Sequence, residues 1–146
     1  MPPSSQVPDI ARVVQLAVAP VFLLSGVGVT LTVLTNRLAR IVDRARTLEG
    51  RLPAAAPAEQ VDLHRELTTL SSRAQLINRA LTLSTTCALL VCVVIAALFV
   101  GAFLGLDLSA FIALLFIAAM LTFIGALVSF LREIFLATAN LRIGPH

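Results

Sequence analysis

The chain has 146 residues, 58% of them hydrophobic, and a mean hydropathy of +0.96, more apolar surface than one small soluble domain can bury. All 11 basic residues are arginine against 8 acidic ones, so the net charge is +3 and the pI is near 10.1. These arginines flank apolar runs, which makes anionic lipid headgroups the expected partner and excludes nucleic acid.

Residues 1–8, with Pro2, Pro3 and Pro8, read as disordered. Asp9 stands where a signal peptide would carry a cationic cluster, and the apolar run that follows is too long for its core. Arg12 to Arg37 encloses 24 uncharged residues, and a bilayer core takes about 20 in a helix. This predicts a first transmembrane helix over 9–36, with Asp9 as N-cap and a kink at Pro20. Ser25, Gly28, Thr32 and Thr35 fall on one stripe of it. Such small hydroxylic faces either pack against other helices or line a wet path.

Residues 37–80 read as a cytoplasmic helical hairpin. Leu34, Leu38, Ile41, Ala45, Leu48 and Leu52 are spaced alternately four and three apart, and Leu63, Leu67, Leu70, Ala74, Ile77 and Leu81 repeat the pattern. That is the seam of a coiled coil. One antiparallel register pairs Leu34 with Leu81, Leu38 with Ile77, Ile41 with Ala74, Ala45 with Leu70, Leu48 with Leu67 and Leu52 with Leu63. Gly50, Pro53 and Pro57 are expected to break the helix at the apex. Asp43 has Arg40 and Arg46 three residues away and Asp62 has Arg65, while the register lets Arg44 and Arg51 reach Glu66, and Glu49 reach His64. The other arrangement open to these segments is two amphipathic helices lying flat on the lipid.

The next uncharged runs, 27 residues between Arg79 and Asp107 and 24 between Asp107 and Arg132, predict transmembrane helices over 81–105 and 108–131, then a cytoplasmic tail over 132–146. Ala97, Gly101 and Gly105 form a small-residue ladder suited to close helix approach. Gly105 is also a stop signal, and Asp107 an N-cap. Thr122, Gly125 and Ser129 make a second hydroxylic stripe on the third helix. Cys87 and Cys92 lie on different faces of the second, and no Cys/His spacing fits zinc or another metal. Eight arginines between the first two spans, and two more after the third, place loop and carboxyl terminus in the cytoplasm and the amino terminus outside.

Asn36, Arg37, Asn78, Arg79, Arg132 and Glu133 reach one depth on the three helices. They serve either as interfacial anchors with a Glu133–Arg bridge or as a polar ring at a cytoplasmic pore mouth. Around these residues the chain resembles a bacterial membrane family known as domain of unknown function 2721. The likeness is carried by Pro20-Val-Phe-Leu-Leu-Ser-Gly-Val-Gly28, Asn36-Arg-Leu-Ala-Arg-Ile-Val-Asp-Arg-Ala-Arg46, Arg73-Ala-Gln-Leu-Ile-Asn-Arg79 and Phe130-Leu-Arg-Glu-Ile134. It implies a bacterial inner membrane location and no particular activity. No nucleophile–base, metal or phosphate-loop motif is present, so no enzyme and no cofactor are expected. Two function classes remain: a homo-oligomeric pore or transport-related assembly, and an adaptor whose hairpin docks a cytoplasmic protein.

Overall fold

A computed structural model describes residues 6–143, with side chains over 10–139. Its elements are α1 (Gln6–Arg51), a 3₁₀ turn (Leu52–Ala54), α2 (Pro57–Leu104) and α3 (Ser109–Ile143); the described residues contain no strand. At about 1.5 Å per residue, helices of 46, 48 and 35 residues are each long and apolar enough to cross a bilayer. Of the most apolar stretch of each, only 17%, 28% and 11% is buried within the chain. Those side chains need an apolar surround that one copy of the chain does not supply.

The helix ends correct several expectations. α1 is already helical at Gln6, so Asp9 falls inside the helix rather than ahead of it. Of the stretch expected to be disordered, residues 1–5 lie outside the described ones and 6–8 are helical. Pro20 is buried within α1, which continues through it. Gly50 does not end α1 either; the helix runs to Arg51 and gives way at Pro53, which lacks the N–H the next bond needs. The Gln60 side-chain amide donates to the Leu52 and Ala55 carbonyls at 3.3 Å, holding the apex closed. Pro57 opens α2 from its first position, where a missing N–H costs nothing. Beyond Arg132 the tail continues α3 to Ile143, and 144–146 lie outside the described residues.

α2 ends in a Schellman turn. Gly105 takes φ +69°, a conformation that penalises a side chain, and the Leu106 N–H donates back to the Gly101 carbonyl at 2.9 Å. A Cβ on Gly101 would stand 3.3 Å from the Leu106 carbonyl oxygen. Both glycines of the ladder therefore serve the turn. Asp107 then accepts the Ser109 hydroxyl and its N–H, the latter at 3.2 Å, and organises the start of α3. These two bonds, the hydroxyl's first, hold the carboxyl below its ordinary value. A lowered carboxylate stabilises the fold above its unfolded range, near pH 4, and loses that contribution as pH falls through the lowered value. Amide protection at Ser109 is thus expected to fall below pH 4 in the native chain, after correction for intrinsic exchange. In Asp107→Asn it should stay flat with pH.

The chain divides into two units, Met1–Thr30 with Leu83–Ile124, and Leu31–Thr82 with Gly125–His146. In the first, Ala17, Pro20, Val27, Ser84, Cys87, Val91, Val94, Ala97, Gly101 and Ala119 are buried, the Ser84 hydroxyl without a hydrogen-bond partner among the described residues. In the second, Leu34, Ile41, Leu48, Leu70, Ile77 and Ala80 form a buried cluster. Leu38, Ala45, Leu63, Leu67, Ala74, Leu81 and Phe130 pack against it, partly buried. Along each helix one set of buried positions recurs every seven residues: 20, 27, 34, 41 and 48 in α1; 70, 77, 84 and 91 in α2, beside a second set at 80, 87, 94 and 101; 119, 126 and 133 in α3. The last of these is a glutamate.

Candidate functional site

Glu133 occupies a position where its series otherwise places Ala119 and Ala126, and its side chain is fully buried in the second unit. A buried carboxylate is tolerated only when its lone pairs are filled. The Arg37 Nε and Nη2 donate to one oxygen at 2.9 and 2.5 Å, and the Arg73 Nε donates to the other at 2.9 Å. The guanidinium of Arg37 also lies over the Phe130 ring, 5.4 Å from its centroid, which adds a cation–π contact one turn before Glu133. The arginine side chains keep 32% and 22% of their surface exposed. The clamp therefore ties α3 to α1 and to α2, and it carries one net positive charge.

This arrangement divides the residues expected at one polar level. Arg37 and Glu133 come together, whereas Asn36, Asn78, Arg79 and Arg132 are exposed and join no ion pair among the described residues. Arg73, six residues before Arg79 and outside the expected polar level, completes the clamp. It sits one position before Ala74 of the seam, and spacing along α2 gives no sign that it reaches α3. Between α1 and α2, Arg44 donates to Glu66 from Nε at 3.3 Å and from Nη2 at 3.1 Å. Both groups are about half exposed, so this pair contributes well under about 1 kcal/mol. The pairs Asp43–Arg40, Asp43–Arg46, Asp62–Arg65, Arg51–Glu66 and Glu49–His64 do not close among the described residues.

The two hydroxylic stripes differ. On α1, Ser25, Gly28, Thr32 and Thr35 are all exposed, and the space where a Gly28 Cβ would sit is open. Ser25 and Thr35 donate to the carbonyls of Val21 and Leu31, four residues back, at 3.3 and 2.8 Å. On α3, Thr122, Gly125 and Ser129 are half-buried, and the Thr122 hydroxyl bonds to the Ala118 carbonyl at 2.7 Å. Cys87 is buried and Cys92 exposed, on different faces of α2.

No curated protein and no solved structure matches the chain. The family match is to a protein of unknown function (DUF2721) and extends over residues 17–143, so it takes in the clamp, most of α1 and all of α2 and α3. The chain belongs to the DUF2721 family.

Proposed function

We propose that the chain is a non-enzymatic inner-membrane protein that assembles from several copies into a channel or transport-related complex. Its three helices cross the bilayer with the amino terminus outside. The arginine-rich segments between the first two spans fold in the cytoplasm as an antiparallel coiled-coil hairpin. Helix length supports this: α1 and α2 would each be about 70 Å long against a hydrocarbon core of about 30 Å. The seven-residue burial repeat supports the coiled packing, since it is the period of supercoiled helices.

The observation that carries the assembly is the α1 stripe of Ser25, Gly28, Thr32 and Thr35, which one copy leaves exposed. Lipid gains nothing from small hydroxylic residues, whereas another helix can approach them closely or water can follow them. The half-buried α3 stripe suits packing instead. With Arg37 held by Glu133, exposed Arg79 and Arg132 remain to give the cytoplasmic mouth an anion preference. Gly28→Leu is expected to lower the detergent-solubilised mass from a multiple to a single chain with helicity unchanged. Thr32→Leu is expected to cut anion flux in liposomes. A wild-type mass of one chain, or flux equal in both proteins, would sink this reading.

The adaptor is the second reading, and a groove of about 480 Å³ on the hairpin favours it. Ala45 and Ala74 leave room there, beside Ile41, Ser71, Ser72 and Gln75.

A further inference from the structure

The clamp leaves guanidinium chemistry unspent. One carboxylate fills two N–H groups of Arg37 and one of Arg73, and a guanidinium carries more donors than that. Glu133 has no exposed surface, whereas both arginine side chains are partly exposed. Two positive charges against one negative leave the cluster seeking an anion. Exposed Arg40, one turn after Arg37, and exposed Arg132, beside Glu133, add charge of the same sign and make no ion pair among the described residues. The carboxylate nearest along α1, Asp43, makes none either.

Position adds to charge. Arg37 is the first charge after 24 uncharged residues of α1, and Arg132 the first after 24 of α3. In a bilayer that is where hydrocarbon meets headgroup phosphates. A guanidinium fork matches phosphate oxygens in pairs, which an ammonium does not. Because Glu133 holds Nε and Nη2 of Arg37 and Nε of Arg73, both guanidiniums are placed before any ligand arrives, and less side-chain freedom is lost on binding.

We infer that the guanidiniums of Arg37 and Arg73, placed by the buried Glu133, form a binding site for the phosphate of an anionic phospholipid headgroup. This rests on the membrane reading above. Glu133 acts as the positioning residue and the two arginines as the ligand contacts. A free phosphate shares the recognition chemistry, but its source is solution rather than the bilayer.

The test uses the full chain in phosphatidylcholine nanodiscs, titrated with phosphatidylglycerol and read by native mass spectrometry. The expected result is a preference for phosphatidylglycerol of at least about tenfold. Arg37→Lys with Arg73→Lys keeps the charge facing Glu133, loses the forks, and should abolish the preference. Arg12→Gln should keep it. The inference is overturned if the lysine pair keeps the preference, or if Arg40→Gln with Arg132→Gln removes as much of it. It is also overturned if millimolar inorganic phosphate displaces the lipid completely. Should the lysine pair fail to fold, headgroup photolabelling of the wild type decides: labels near residues 37 and 73 support the site, and labels confined to other arginines refute it. Carbonate extraction separates the two claims. A chain released from membranes defeats the membrane reading itself, whereas one retained without headgroup preference defeats this site alone.

Discussion

Replacing both Arg37 and Arg73 with alanine is expected to destabilise the chain by about 5 kcal/mol, and replacing Glu133 with alanine by about 3 kcal/mol. The order follows from burial. The double change strands a carboxylate with no exposed surface, and a buried charge without a partner carries its whole desolvation cost. Losing Glu133 instead frees two arginines that already reach the surface and can turn toward solvent. Replacing all three residues with leucine or methionine should recover most of the loss, because an apolar filling has neither charge to desolvate nor partner to miss. Unfolding in mixed micelles with increasing denaturing detergent ranks the variants, and Arg44→Ala supplies the exposed-pair reference. If the double alanine variant is no less stable than Arg44→Ala, the clamp contributes nothing to the fold. Loss of protection confined to residues after Phe130 would further identify the clamp as what fastens the end of α3.

The elements were legible because charge and hydropathy change abruptly along this chain. Three uncharged runs and two matched four-three ladders are enough to specify three long helices and the turn between the first two. Relative depth within the ladders was not. The pattern treats Leu34, Leu38, Ile41 and Ala45 alike, whereas Leu34, Ile41 and Leu48 are buried and Leu38, Ala45 and Leu52 half-buried. Two helices alone can cover one row of a seam fully, and the second row keeps a solvent edge. Near the top of the hairpin Ala80 rather than Leu81 is buried, and there Phe130 of α3 joins the packing. A third helix changes which face of α2 is inside, and spacing along α2 carries no trace of it.

The clamp shows the same limit in another form. Glu133 could have been read as buried, since it lies seven residues after Ala126 and fourteen after Ala119, but only once α3 was known to keep a seven-residue period. Arg37 stood out as the first charge after an apolar run. Arg73 did not, because arginine reaches several residues along a helix and its partner comes from a helix whose register is set by tertiary packing. The ladder of Ala97, Gly101 and Gly105 has two uses that its spacing does not separate: Ala97 and Gly101 are buried, and Gly101 and Gly105 shape the turn that ends α2. Spacing alone cannot separate a glycine kept small for a neighbouring helix from one kept small for its own turn.

Ile77→Ala is expected to cost about 3 kcal/mol, within the usual range for truncating a buried isoleucine. Ile77 has no exposed surface and belongs both to the seven-spaced series of α2 and to the cluster that joins α2 to Leu34 and Ile41. Its neighbours separate this effect from helix propensity. Leu76 is half-buried and Asn78 exposed, so Leu76→Ala should cost about 1 kcal/mol, and Asn78→Ala should stay within about 0.5 kcal/mol of zero. Alanine is the stronger helix former at every one of these sites, so propensity acts against the predicted loss and packing must account for all of it. The loss should also spread, because Leu70, Ala80 and Leu34 share the same cluster and would line the resulting cavity. Amide exchange over residues 63–81 should accelerate together with that over 34–48, while the start of α3 at Ser109 keeps its native protection. Equal costs at 76, 77 and 78 would mean that the buried repeat does not organise the hairpin, and the coiled-coil reading would fall with it.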